Sequence, residues 1–118
     1  MARPSEIRVR RASRSIEVDF EDGRRFSLPA ELLRVLSPSA EVQGHSPMER
    51  KVVPGKRDVG LASVEPIGHY AVRILFDDGH DTGIYTWDYL YELGQEQEQR
   101  WATYLDELES KGLSREPR

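Results

Sequence analysis

The chain has 118 residues, 37% of them hydrophobic and 32% charged, with 17 Lys and Arg against 21 Asp and Glu for a net charge of −4. That length suits one domain able to bury about two thirds of its unfolded surface, and no apolar run approaches the ~18 residues of a transmembrane helix. Cysteine is absent, which removes a disulfide framework, a thiolate metal site and a cysteine nucleophile. The basic N-terminal stretch is followed by no apolar segment, so no secretory signal is read and the expected location is the cytoplasm.

Residues 1–5 read as a loose tail, Ile7 to Arg11 as a short strand and Ala12-Ser13-Arg14 as a turn. Residues 15–20 and 24–28 then form a hairpin around Asp22-Gly23. A two-residue loop would pair Phe20 with Arg25 and Val18 with Ser27, mixing the faces. A three-residue loop, a type I turn closed by Gly23 in the left-handed conformation, pairs Val18 with Phe26 and Ile16 with Leu28 and gathers the apolar groups on one face. Pro29 suits the first turn of a helix, where no N–H is needed, and Ala30 to Leu36 continues it with Leu32, Leu33 and Leu36 on one side. Residues 37–60 carry Pro38, Gly44, Pro47, Pro54, Gly55 and Gly60, which interrupt any regular element. Ser37 is placed to cap one helical turn. A connection this long in a compact domain is functional or hides short elements of its own.

Val59 to Val64 reads as a strand stopped by Pro66, and Tyr70 to Phe76 with Thr82 to Tyr85 as a second hairpin. It repeats the first. Ile16-Glu17-Val18-Asp19-Phe20-Glu21-Asp22-Gly23 and Val72-Arg73-Ile74-Leu75-Phe76-Asp77-Asp78-Gly79 share alternating apolar residues and then Phe-acid-Asp-Gly, at an offset of 56 residues. The same loop places Val72 opposite Ile84 and Phe76 opposite His80, with Gly79 at positive φ. Leu75 lies on the face opposite Ile74, which suggests cover on both sides. Thr86 caps a helix with Asp88 in its first turn; Trp87, Leu90, Tyr91 and Leu93 are its buried stripe and Gly94 its stop. A further helix from about Gln95 carries Trp101, Tyr104, Leu105 and Leu108 at helical spacing. The expected fold class is α+β: an antiparallel sheet built from two bulged β-hairpins, each followed by a helix, with a C-terminal helix packed on the sheet. One domain is expected over 6–112, with flexible tails at 1–5 and 113–118.

Charge is unevenly spread. Arg3, Arg8, Arg10, Arg11 and Arg14 crowd the first fourteen residues, Arg50, Lys51, Lys56 and Arg57 a second stretch, and Glu92, Glu96, Glu98, Asp106, Glu107 and Glu109 the C-terminal part. Basic stretches at the N-terminus and over 50–57 are the footprint a nucleic-acid binder would leave. No helix-turn-helix, RNA-binding sheet signature or aromatic-interleaved basic stripe accompanies them, and solvated strand and helix faces account for the charges. Pro54-Gly55-Lys56-Arg57 lacks the spacing of a phosphate loop and is read as a turn. Ser37, Ser39 or Ser46 as a nucleophile would need an activating base and an oxyanion hole that the sequence does not place. His69 is expected on the surface.

Three segments carry a family resemblance. Leu33-Arg34-Val35-Leu36-Ser37-Pro38-Ser39-Ala40-Glu41-Val42, Val53-Pro54-Gly55-Lys56-Arg57, and Phe76-Asp77-Asp78-Gly79-His80 leading into Gly83-Ile84-Tyr85-Thr86-Trp87-Asp88-Tyr89-Leu90 resemble the gamma-butyrobetaine hydroxylase-like N-terminal domain family over about residues 6–94. The resemblance implies a domain found in small bacterial proteins of unknown function, ahead of the catalytic domain of carnitine-pathway dioxygenases, and on P-loop ATPases that carry iron–sulfur clusters. In the dioxygenases it implies an accessory domain with a structural zinc, held by a Leu-Arg-x-x-Cys-x-Cys-x-x-Cys pattern and a His after the Asp-Gly turn. Those positions fall here on Ser37, Ser39, Val42 and His80. Serine hydroxyls are poor zinc ligands and valine is none, so the site is read as a lost zinc site without metal, and His80 is expected beside the Ser37–Val42 segment.

These readings converge on a non-catalytic accessory module with no cofactor, acting through a protein partner; the resemblance implies an iron–sulfur carrier ATPase or an oxygenase-type enzyme. The expected partner-binding residues are His45, Arg50, Lys51, Lys56, Arg57 and His80, on a monomer or weak homodimer that touches no membrane. One alternative is a metal-binding protein using His80 with His45 and the carboxylates of Glu41, Asp78 and Asp81. The other is nucleic-acid binding through the basic stretches.

Overall fold

The computed structural model describes residues 2–44 and 50–117. Strands β1 (Pro4–Arg10), β2 (Ser15–Phe20) and β3 (Arg25–Pro29) form one antiparallel sheet in that order, followed by α1 (Ala30–Val35) and the single turn α2 (Ala40–Gln43). Strands β4 (Leu61–Ile67), β5 (Ala71–Phe76) and β6 (Gly83–Thr86) form a second sheet in the same order, followed by α3 (Trp87–Gln95) and α4 (Gln97–Ser110). The fold is α+β, and its repeat is two three-stranded sheets rather than two hairpins.

The first hairpin has the register that its apolar pattern dictates. Val18 faces Phe26 and Ile16 faces Leu28. Phe20 N–H donates to the Arg24 carbonyl at 2.8 Å, Gly23 N–H to the Phe20 carbonyl at 3.0 Å, and Gly23 has φ +90. The second turn copies these bonds: Phe76 N–H to the His80 carbonyl at 3.0 Å, Gly79 N–H to the Phe76 carbonyl at 3.2 Å, φ +92 at Gly79. Burial along β2 and β5 is identical, with the first, second, fourth and sixth residues inside. The copying reaches the edge strands. The β1–β2 register slips between Pro4 and Glu6, and the β4–β5 register slips at the matching place, between Leu61 and Ser63.

Past its turn the second hairpin departs from the expected pairing. Val72 faces Tyr85, not Ile84, and Ile84 faces Arg73. One additional residue between His80 and Gly83 shifts the register, and a shift of one exchanges the two faces. It carries the Tyr85 ring into the core at 0% exposure and leaves Ile84 44% exposed. The Tyr85 hydroxyl then donates to the Leu33 carbonyl, so the larger ring is buried with its polar end satisfied.

Other boundaries moved for local reasons. Pro29 ends β3 and is the N-cap of α1, not a residue of its first turn. Pro66 does not stop β4, because β4 is an edge strand and a missing N–H costs nothing on the open side. Ser39, not Ser37, caps α2, accepting from Glu41 N–H at 3.2 Å. Gly94 does not end α3; it lies inside the helix, where an added Cβ would stand 2.2 Å from Phe26 Cγ. Leu105 is 38% exposed, so only Trp101, Tyr104 and Leu108 of the expected α4 stripe turn inward. Leu75 is half-buried, and His69 is exposed. The expected tails carry structure: β1 begins at Pro4, and Gly55 N–H and Arg57 N–H donate to the carbonyls of Ser114 and Arg115 at 2.9 and 3.0 Å. Leu113 packs against the core, which draws the segment after α4 onto the domain.

The halves are joined by exchange. Helix α1 follows the first sheet but bonds the second, through Leu33 to Tyr85 and Arg34 to Asp78. Helix α3 follows the second sheet but packs on the first, with Tyr91 set edge-on to Phe20 and Phe26 at 4.9 and 5.5 Å between centroids. The Tyr91 hydroxyl donates to Asp22 at 2.6 Å. Asp22 and Asp78 are the matched residues of the two turns. Each holds its own turn, accepting from the N–H two residues on, and each is gripped by the other half's helix.

Candidate functional site

The segment after α1 leaves the helix at Leu36 and folds against the second turn, bringing Ser37 and Glu41 to His80 and Ser39 to Thr82. Ser37 Oγ lies 2.9 Å from His80 Nε2, and the other ring nitrogen, Nδ1, lies 3.0 Å from Glu41 Oε2. Ser39 N–H donates to Ser37 Oγ at 3.2 Å, and Ser39 Oγ is bonded to Thr82 Oγ1 at 2.6 Å. Gln43 Nε2 donates to the Ser37 carbonyl at 2.8 Å. Ser37 and Val42 are buried at 0% and 2% exposure, and the His80 side chain at 3%. A glycine at 83 is required here, since a Cβ on it would meet Ser37 Oγ at 2.7 Å and the Tyr85 ring at 2.9 Å.

Around this lies a ring of charge. Asp78 Oδ2 takes Arg34 Nε at 2.7 Å and Lys56 Nζ at 2.7 Å, and Oδ1 takes His80 N–H at 3.0 Å. Burial by itself raises the Asp78 pKa, but the Lys56 bond, the backbone N–H and Arg34 together outweigh it and hold the carboxyl down at about 2. His80 is shifted the other way from a free cation: burial and the Arg34 charge lower its pKa, and the nearby Glu41 and Asp78 carboxylates only partly offset them. At neutral pH the His80–Glu41 contact is therefore a hydrogen bond from a neutral imidazole N–H. With Nδ1 donating, Nε2 accepts from the Ser37 hydroxyl, so the chain of bonds from Ser39 N–H to Glu41 has a donor and an acceptor at every link.

Hydroxyl, imidazole and carboxylate stand in the order of a hydrolytic triad, but the arrangement is a clasp. Ser37 Oγ has no exposed surface and already accepts from Ser39 N–H, and Gly83 closes the space beside it. A nucleophile needs a substrate carbonyl within reach and donors aimed at the developing oxyanion; this oxygen has neither the access nor a free approach.

A zinc ion does not fit the same residues. Of the four positions that would form a closed tetrahedral set, Val42 offers no donor atom, and the oxygens of Ser37 and Ser39 and both His80 nitrogens are engaged by protein hydrogen bonds. Among the described residues no three His, Cys, Asp or Glu side chains are grouped as metal ligands. His45 and Ser46 lie outside the described residues.

The basic residues expected to meet a partner are largely committed. Arg50 pairs with Glu107, Lys56 with Asp78 and Arg57 with Glu116. Lys51 is exposed, and its ammonium has no carboxylate partner among the described residues. The His80 side chain is too deeply buried to touch a partner itself. In the N-terminal stretch Arg8 meets Glu6, Glu17 and Asp19, Arg10 meets Glu17, and Arg14 meets Asp58. Arg11 instead donates to the Ala62 carbonyl at 2.9 Å. The sequence reading passed over Arg34 and Thr82; the doubled Asp-Gly turn held a signal for Arg34, since a matched Asp in each turn invites a donor from the opposite helix.

Together these features define a small two-fold-repeated α+β domain whose most polar site is spent on internal structure. The chain belongs to the gamma-butyrobetaine hydroxylase-like, N-terminal family, whose profile matches residues 7–91. Two proteins solved by NMR in solution resemble it throughout. One is 51% identical, with TM-score 0.87 and coverage of 100% of this chain and 93% of its own; the other is 44% identical, with TM-score 0.85 and coverage of 99% and 87%. A crystal structure at 1.93 Å of a protein of unknown function of the DUF971 family, from Acidithiobacillus ferrooxidans ATCC 23270, is 44% identical with TM-score 0.66, over 78% of this chain and 92% of that one. No curated protein matches the chain. No helix among the described residues is long and apolar enough to cross a membrane.

Proposed function

We propose that this chain is a non-catalytic accessory domain that docks a protein partner through the face around the Ser37–His80 clasp and the 50–57 segment. The observation that supports it is the clasp itself: hydrogen bonds, that of Ser37 to His80 fully buried, join α1, the α2 cap and the second turn, so the segment carrying Lys51, Lys56 and Arg57 is presented on a rigid base. Preorganised surfaces lose less on association than mobile ones. A site whose serine hydroxyls and imidazole nitrogens are all hydrogen-bonded within the fold shapes a surface more readily than it turns over a substrate. The family's description as an N-terminal region accords with a domain that serves another. By the resemblance, the partner is an iron–sulfur carrier ATPase or an oxygenase-type enzyme, met in the cytoplasm.

The test is crosslinking and capture from the native host, with the wild-type chain beside Lys51→Glu and Arg57→Glu and an Arg10→Glu control. A specific protein should be lost with the first two and kept with the third. Capture indifferent to all three, or a partner crosslinked only through the N-terminal sheet, would refute the assignment.

A further inference from the structure

Helix α4 ends at Ser110, and the chain turns at Gly112, φ +66. Beyond it Ser114 to Glu116 run beside residues 55–57, joined by the two backbone bonds already described. Arg115 then reaches into α1 and forks onto Glu31, Nε to Oε2 at 2.8 Å and Nη2 to Oε1 at 2.7 Å. Its guanidinium carbon stands 5.2 Å from the centre of the Trp101 ring. Glu31 is 7% exposed.

A carboxylate this deeply buried is costly without a cation. Two parallel oxygens under an indole face select a guanidinium, because an ammonium cannot bond both oxygens and lie flat on the ring. The pocket continues into a cleft of about 890 Å³ that reaches the α3–α4 junction, where Glu98 adds negative charge and Glu96 is paired with Arg100 at 2.9 Å. The segment that fills the pocket is anchored by the fork, the stacking of Arg115 on Trp101, the two backbone bonds and Leu113 against the core; the Arg57–Glu116 pair beyond them has side chains 54% and 61% exposed, and exposed pairs contribute about 0–1 kcal/mol.

We propose that this cleft, with the 55–57 edge beside it, is a docking groove for an arginine-bearing extended segment of a protein partner, and that Arg115 of the chain's own 113–117 segment occupies its guanidinium pocket as a built-in stand-in. The fit of the chain's own segment defines the ligand: a guanidinium for Glu31 and Trp101, and two carbonyls for the N–H groups of Gly55 and Arg57. The acidic cleft beyond takes further basic residues. The groove and the docking face above share the 55–57 backbone and Arg57, but Glu31→Gln touches only the groove and Lys51→Glu only the face, so those two variants separate the failure of one from the failure of the other.

The probe is the acetylated and amidated peptide of residues 112–117, Gly-Leu-Ser-Arg-Glu-Pro, titrated by calorimetry into the full chain carrying Arg115→Ala. Saturable binding is expected, about tenfold or more tighter than to the wild-type chain, whose tethered segment competes at an effective concentration of order mM. Replacing the peptide's arginine by alanine or lysine, or adding Glu31→Gln to the protein, should abolish it. A folded Arg115→Ala chain without saturable binding, or binding indifferent to that arginine, overturns the proposal. If Arg115→Ala does not fold, the wild-type chain is read by NMR: excess peptide should move the Ser114 and Arg115 signals toward free-chain positions, and unmoved signals overturn the proposal. A wild-type dimer in sedimentation that Arg115→Ala dissolves would assign the groove to a second copy instead and overturn it equally.

Discussion

Ser37 Oγ and His80 Nε2 meet at 2.9 Å across 43 residues of sequence, and beside the Arg34–Asp78 pair this bond ties the segment after the first half's helix to the turn of the second. Its counterpart in the repeat is not another clasp. At the matched turn Arg24 stands where His80 does, and the closure is the Tyr91–Asp22 bond instead. The duplication therefore supplies two equivalent turns, and only one has been built into a buried polar site.

Ser37→Ala would remove a hydroxyl that accepts from Ser39 N–H and donates to His80. Each buried group left unsatisfied costs about 1–3 kcal/mol. Urea denaturation should show that loss as a lower midpoint, while Ser27→Ala on β3 should stay within about 0.5 kcal/mol of wild type. An unchanged midpoint for Ser37→Ala would show that the clasp carries no stability.

Zinc content separates a hydrogen-bonded clasp from a metal site. The purified chain is expected to carry no stoichiometric zinc by elemental analysis, and chelator treatment should leave its melting temperature unchanged. Zinc retained at one equivalent and lost in His80→Ala would require ligands other than Ser37, Ser39 and Val42.

Acid should weaken the fold in two stages. His80 has a folded pKa below its unfolded value of about 6.5, so the unfolded chain takes up its proton first, and stability declines as pH falls below that value. Asp78, held at about 2 against an ordinary 3.8, contributes stability that is complete above about pH 4 and is lost as pH falls through 2. Asp78 is exposed as a residue, so solvent screening reduces what its ion pairs contribute. Denaturant midpoints followed from pH 8 to 2 should show both declines, and Asp78→Asn should flatten the lower one. A pH profile for Asp78→Asn that overlays wild type would remove Asp78 from the account.

Much of the fold was legible because the repeat is written in local chemistry. Phe-acid-Asp-Gly fixes a turn with one residue at positive φ, and period-two apolar residues fix which face is inside, so β2, β3 and β5 follow from sequence. The β6 register was not legible. Sequence weighs Ile84 and Tyr85 alike as core residues, and the choice is made by the Leu33 carbonyl, which only the folded chain brings to the Tyr85 hydroxyl. The separation of the sheets, with β1 and β4 as matched edges, was hidden because edge strands such as Arg8-Val9-Arg10 carry too few apolar residues to signal a face. At the site, the approach of Ser37 to His80 is where the family pattern places it. The neutralisation of Arg50, Lys56 and Arg57 did not, because Glu107, Asp78 and Glu116 are distant in sequence and become partners only through tertiary contact.

Gly94 gives the sharpest test of packing, because two effects oppose each other there. Inside a helix, Gly→Ala ordinarily stabilises by about 0.5–1 kcal/mol, and Gly94 is in α3 without a positive φ. An added Cβ, however, would stand 2.2 Å from Phe26 Cγ and 2.5 Å from both ring δ carbons. Phe26 is also confined by Phe20 and Tyr91, at 5.9 and 5.5 Å between centroids, so the ring cannot simply swing away. Overpacking of this kind costs about 1–3 kcal/mol, which exceeds the propensity gain. Gly94→Ala should therefore lower the urea midpoint, whereas Gly94→Ala in a Phe26→Ala background, where the ring is gone, should raise it relative to Phe26→Ala alone. That reversal of sign is the expected signature of α3 pressed onto β3; stabilisation by Gly94→Ala in the wild-type background would mean that the helix does not approach the strand this closely.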